Sequence, residues 1–162
     1  MIIRLAKRND ENKISKLIAQ FRVELKSFKG IKSGINIGLA KEEFREYIDA
    51  NYPIYVAENN NRLLGYLICR VENNLVWVES LFVLNNFRRK GIASKLFKKA
   101  EKISETLGGE TVFNYVHPNN DKIIKFLSKM GYDVLNLIEI RKPWKDEILN
   151  KEIRILDNLY RY

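Results

Sequence analysis

The sequence predicts one mixed α/β (α+β) domain, a mostly antiparallel sheet flanked by helices with one pair of parallel strands. Three observations predict it. Strand-like runs at 54–58, 62–72 and 75–84 are separated only by Asn59-Asn60-Asn61 and Asn73-Asn74, and strands joined by turns this short are antiparallel neighbours. Ile14, Leu17, Ile18, Phe21, Leu25 and Phe28 recur at helical spacing over 11–28, the mark of an amphipathic helix. A helix pattern at 91–107 separates the strand at 75–84 from another at 111–116. A crossover of that length makes its two strands parallel and its connection right-handed.

The other elements follow in order. Residues 2–7 read as a short strand, and Asn9 and Asp10 offer N-caps for the first helix. The stretch 29–38, with Gly30, Gly34 and Gly38, has little periodicity; it is a connector, or a substrate lid if it lies by a cleft. A second helix covers about 39–50, with Phe44, Tyr47 and Ile48 on one face, and Asn51-Tyr52-Pro53 ends it. In the crossover helix Ile92, Leu96, Ala100, Ile103 and Leu107 form one stripe, and Gly108-Gly109 stops it. His117 to Asp121 break and cap. A helix at 120–130 ends at Gly131, and 132–141 reads as a strand. The tail, 145–160, places Leu149, Ile153, Leu156 and Tyr160 on a helical stripe, so the expected division is a domain at 1–142 and a helical extension at 143–162. Ile148, Ile155 and Leu159 add apolar surface to that extension, which fits docking on its own domain and leaves a homodimer open.

Composition bounds the function. The 162 residues are 46% hydrophobic and 30% charged, as expected of a soluble globular domain. No apolar run approaches the roughly 20 residues that span a bilayer, and Met1-Ile2-Ile3-Arg4-Leu5 lacks signal-peptide architecture, so the expected compartment is cytoplasmic, with no membrane partner. Cys69 is the single cysteine and His117 the single histidine; they cannot build an ordinary four-ligand zinc site, and no metal is expected. Cys69 reads as a buried core thiol. The net charge of +9 favours an anionic ligand. The basic residues are dispersed among acids, without an arginine-rich block, which argues against nucleic acid.

The informative unit is the strand from Leu75, the turn Asn85-Asn86-Phe87, and Arg88-Arg89-Lys90-Gly91-Ile92-Ala93 opening the crossover helix. The first amides of a helix lack intrahelical partners and carry the positive end of its dipole, so an anion there is stabilised twice. Arg88, Arg89 and Lys90 add charge, Gly91 and Ala93 let a ligand approach closely, and Ser94 supplies a hydroxyl. The pattern predicts a phosphate-bearing ligand.

Leu81-Phe82-Val83 followed by Arg88-x-x-Gly91-x-Ala93 resembles the acetyl-CoA signature of the GNAT superfamily of N-acetyltransferases. The order of elements through about residue 141 is similar to theirs, and Asn120, Phe126 and Gly131-Tyr132 resemble a second family segment. The resemblance implies a GNAT-like fold whose parallel strands splay, and acetyl-CoA as the cofactor. Backbone groups of Leu81, Phe82 and Val83 would pair with its pantetheine arm. Main-chain amides of Arg88, Arg89, Lys90, Gly91, Ile92, Ala93 and Ser94 would hold its diphosphate, and Asn120 would be a further contact. It implies transfer of an acetyl group to a primary amine of a small molecule, peptide or protein, by direct attack in a ternary complex.

A lysine amine has a pKa of ~10.4, so a base helps remove its proton at neutral pH. Glu79 is the catalytic candidate. Strict alternation puts it in a row with Leu75, Trp77, Leu81 and Val83, which predicts a partly desolvated carboxylate and a stronger base; in the family resemblance the position matches a base that often acts through water. The alternative is a solvent-facing or salt-bridged glutamate at the sheet edge. Many relatives have a tyrosine acid immediately after the position of Phe126, where this chain has Leu127; leucine donates no proton. The thiolate would leave unassisted, or Tyr115, His117 or Ser128 would serve. Leu127 also motivates a second reading, a non-catalytic acyl-CoA-binding or regulatory module of the same fold.

Overall fold

A computed structural model describes all of residues 1–162. They form two compact units, Met1–His117 and Pro118–Tyr162; the boundary expected at 142/143 falls inside the second. No helix is long and apolar enough to cross a membrane.

The first unit holds β1 (Ile2–Leu5), α1 (Glu11–Phe28), α2 (Ile37–Asp49), β2 (Ile54–Asn59), β3 (Arg62–Glu72), β4 (Leu75–Val83), α3 (Ile92–Thr106) and β5 (Phe113–Asn114). Its sheet has the order β1-β2-β3-β4-β5, antiparallel except for the parallel pair β4–β5. The mostly antiparallel sheet with one parallel pair is as expected. Asn60, Asn61, Asn73 and Asn74 make the two hairpin turns with positive φ, a conformation asparagine adopts more readily than most residues.

One face of the sheet packs on α1 and α2. There Ile14, Ile18, Phe44, Ile54, Val56, Tyr66, Ile68 and Phe82 form one buried cluster. The apolar stripe of α3, with Leu96, Phe97 and Ala100 fully buried, covers β2, β3 and β4. Asp10 does not cap α1 with its side chain, contrary to expectation. Its buried carboxylate instead takes two hydrogen bonds from Arg4, at 2.7 and 2.9 Å, and one from the Lys7 amide. The strand expected at 111–116 shrinks to Phe113–Asn114, because only these residues pair with β4.

The second unit holds α4 (Asp121–Lys129), β6 (Glu152–Ile155) and β7 (Asn158–Arg161). Here two expectations fail. The strand expected at 132–141 carries no ladder, and Val134 and Leu137 are 87% and 70% exposed. Apolar alternation makes a strand only when a second backbone is there to pair. The helix expected at 145–160 is an antiparallel hairpin, β6–β7, joined by Leu156-Asp157. Of the expected stripe, Leu156 falls in the turn, so its helical spacing from Ile153 and Tyr160 is coincidental. Ile153 pairs with Tyr160, Ile155 with Asn158, and the β-branched pair Ile153 and Ile155 favours the strand.

Candidate active site

β4 is the axis of the site, and its two edges are different. Toward β3 it pairs along its whole length, but with a break: Ile68 lies opposite Ser80, while Cys69 lies opposite Val78. Glu79 is the additional residue, a β-bulge in β4. Toward β5 only Trp77 and Val78 pair, with Phe113 and Asn114. From Glu79 to Val83 that edge has no neighbouring strand, so the parallel pair parts company where the bulge begins.

The bulge corrects the expected face of Glu79. Paired residues share a face, and Tyr66 and Ile68 belong to the cluster under α1 and α2. By alternation Arg70 and Glu72 share their side, and so do the partners of these four, Phe82, Ser80, Trp77 and Leu75. Leu81 and Val83, opposite Leu67 and Gly65, take the α3 side. Glu79 therefore keeps company with Leu75 and Trp77 but not with Leu81 and Val83. Instead of an apolar row its carboxylate meets Arg70, whose Nε donates to Oε1 at 2.7 Å. The Glu79 side chain is 25% exposed. Arg70 also donates to Glu72 at 2.5 Å and lies 4.4 Å from the centre of the Trp77 ring, which stacks on Phe113 at 5.4 Å. The charge of Glu79 and its hydrogen bond hold the Arg70 guanidinium even more firmly protonated than usual. The salt-bridged alternative thus describes the geometry at this carboxylate, while Oε2 stays open.

The same register fixes what the free edge offers. The Leu84 amide donates to Leu64 O, so, counting back by twos, Phe82 and Ser80 also turn their backbone groups to β3 and Leu81 and Val83 turn theirs away. Phe82 gives the edge nothing, and its ring lies in the core against Phe21 and Tyr66. Leu81 offers both its groups. Val83 offers its amide alone, because its carbonyl accepts from Arg88 Nε at 2.8 Å.

Arg88 is fully engaged. Besides Val83 O, it donates through both terminal nitrogens to Glu24 of α1, at 3.0 and 2.6 Å, and lies 5.4 Å from the Phe82 ring centre. Its own amide donates to Asn85 O. The Arg88 amide is therefore not part of a free cradle. The amides that follow are. Arg89 and Gly91 both adopt left-handed φ, +63° and +75°. The first helical bond runs from the Lys95 amide to Gly91 O, and the amides of Arg89, Lys90, Gly91, Ile92, Ala93 and Ser94 have no acceptor in the protein. The Arg89 and Lys90 side chains are exposed beside them. A Cβ on Gly91 would touch nothing, so what the turn requires of Gly91 is its φ rather than space within the protein. Two left-handed residues in a run of unpaired amides make a concave, anion-seeking backbone. The residues present fit a diphosphate.

In the second unit Asn120 caps α4, its Oδ1 accepting from the Ile123 amide at 3.3 Å. Leu127 is 6% exposed. Arg70 and Glu24 were missed by sequence reasoning. An arginine inside an otherwise apolar strand was a usable signal for the first; nothing local marks the second, 64 positions before its partner.

Comparison with known proteins agrees with this geometry. The chain is 25% identical over 118 residues to the "Probable N-acetyltransferase san" of Drosophila melanogaster, covering 67% of this chain and 64% of that protein; it thus spans under two thirds of the relative's length. A protein of Bacillus halodurans has the same fold at a TM-score of 0.73 and 17% identity, over 89% of this chain and 99% of that one. The aminoglycoside N-acetyltransferase AAC(6')-Iy, solved with a bisubstrate analogue of coenzyme A, matches at 0.69 and 18%, over 88% and 98%. The profile of the Acetyltransferase (GNAT) family matches residues 24–132, from the glutamate that clasps Arg88 to just past the turn that ends α4, and the chain belongs to that family of acyltransferases.

Proposed function

We propose that the chain transfers an acetyl group from acetyl-CoA to a primary amine by direct attack in a ternary complex. The observation that carries this reading is the continuity of the free β4 edge, at Leu81 and Val83, with the unpaired amides of 89–94. The edge suits an extended amide-bearing arm and the amides suit a diphosphate. Both belong to coenzyme A, and family membership and the coenzyme A complexes of the structural neighbours support the same cofactor.

Acetyl-CoA supplies an activated thioester carbonyl. Leu81 and the Val83 amide hold the arm, with the Val83 amide the nearest donor for the carbonyl oxygen. The amides of Arg89 to Ser94, with the Arg89 and Lys90 side chains, hold the diphosphate. Glu79, oriented by Arg70, accepts the proton of the incoming amine at Oε2, directly or through one water. No side chain donates a proton at Leu127, and coenzyme A leaves as its thiolate, which the ordinary thiol pKa of about 8.5 permits. The acceptor is an amine whose cation is drawn to the Glu72–Glu79 pair. An aminoglycoside, the substrate class named for the AAC(6')-Iy neighbour, is one such amine to test.

The experiment is a screen of amines, aminoglycosides and peptides with acetyl-CoA, read by thiol release and by mass of the product. Release with an N-acetylated amine supports the reading. Tight coenzyme A binding without turnover of any amine would favour the non-catalytic module.

A further inference from the structure

We infer that Glu24 is a positioning residue for the cofactor. It acts through Arg88 on the amide turn that we propose holds the diphosphate, and the inference rests on that reading. Arg88 opens the signature, and its charge invites assignment as a phosphate ligand. The geometry points elsewhere. Its Nε is spent on Val83 O at 2.8 Å and both terminal nitrogens on the Glu24 carboxylate at 3.0 and 2.6 Å. The side chains are 26% and 27% exposed, and the guanidinium sits over the Phe82 ring in the sheet's core.

This clasp does two things. It joins the C-terminal part of α1 to the last residue of β4 and to the residue immediately before the left-handed pair Arg89 and Gly91. A two-pronged arginine–carboxylate contact fixes direction as well as distance, so the turn leaves β4 at one angle and its amides converge. It also occupies the Val83 carbonyl, leaving the Val83 amide and the Leu81 groups as the edge for the pantetheine arm. Glu24 touches neither the turn's free amides nor, in this reading, the ligand; it orders both through one side chain.

Three variants test this: Glu24→Gln, Glu24→Asp and Arg88→Lys. Calorimetric binding of coenzyme A, of ADP as a diphosphate probe and of pantetheine is measured for each, with acetyl-CoA kinetics at saturating amine. Glu24→Gln is expected to weaken coenzyme A and ADP about tenfold, or 1.4 kcal/mol, and to leave pantetheine within twofold. The KM for acetyl-CoA rises with kcat little changed. Arg88→Lys, which keeps charge but loses the fork, weakens ADP as Glu24→Gln does, and Glu24→Asp recovers most of the affinity. A merely structural loss would lower kcat and thermal midpoint together and spare no ligand. Unchanged or tighter ADP binding in Glu24→Gln overturns the inference, since a freed Arg88 would then be a direct phosphate ligand. Should Glu24→Gln not fold, Arg88→Lys alone decides it by the same ligand comparison. Wild-type protein that binds coenzyme A while Glu24→Gln changes nothing sinks the inference and spares the function. Wild-type protein that binds no coenzyme A sinks both.

Discussion

Arg70 and Glu79 meet because β4 contains one residue more than the ladder needs. Counted from the Tyr66–Phe82 pair, an uninterrupted register would set Glu79 opposite Cys69, on the α3 side of the sheet. The extra residue brings it round to Arg70, with 2.7 Å between Nε and Oε1. A bulge that re-aims a side chain is a recurrent device beside reactive sites.

If that carboxylate takes the amine's proton, Glu79→Gln keeps the shape and removes the base. Steady-state kinetics should show kcat/KM for the amine falling by about 10² or more, with coenzyme A affinity by calorimetry unchanged. An intact rate in the glutamine variant would remove Glu79 from the chemistry and leave it a strand-edge ion pair.

Gly91 separates two explanations for a glycine in the amide turn. Its φ is +75° and a Cβ there meets open space, so conformation is the demand. Gly91→Val should weaken coenzyme A strongly, since a left-handed backbone costs about 1–2 kcal/mol for an ordinary residue. Gly91→Asn, which tolerates that region, should lose appreciably less. Equal losses would mean that the ligand itself needs the missing side chain.

Cys69 is fully buried, and burial, helped by the charge of Glu79, pushes its thiol up to about 12. A thiol is reactive as its thiolate. In native protein at pH 8, a chromogenic disulfide reagent should titrate almost no thiol over an hour; in guanidinium it should titrate one per chain at once.

The Arg4 hydrogen bonds hold the Asp10 carboxyl below its usual range, and burial opposes them. A depressed folded-state pKa means stability that is present above the unfolded carboxylate value, near 3.8, and is lost as pH falls through the folded one. Asp10→Asn should therefore destabilise by about 2 kcal/mol at pH 7, less than a fully buried pair because the Arg4 side chain is 25% exposed. Urea denaturation should show this gap closing as pH falls below about 4. A gap that stayed constant down to pH 2 would count against the ion pair as its source.

What could be read from the chain followed the range of the interaction that decided it. The bounds of α1 and β3 were legible because capping, periodicity and asparagine turns act within a few residues. The amide turn was legible for the same reason, since Gly91 and its basic neighbours are consecutive. The face of Glu79 was not, because the extra residue in β4 exists only relative to β3. Arg88 looked free until its partner arrived from α1. The tail misled because Ile153, Leu156 and Tyr160 keep helical spacing although Leu156 lies in the turn between two strands, and the stretch at 132–141 because alternation cannot tell whether a partner strand exists.

The interrupted ladder makes the direction of the Glu79 carboxylate a matter of counting. Deleting Val78 would let β3 and β4 zip evenly, with Glu79 opposite Cys69 and so carried through the sheet to the opposite layer. Shortening β4 by that one codon should thus abolish turnover while leaving a well-folded hairpin whose only fault is which way one side chain looks.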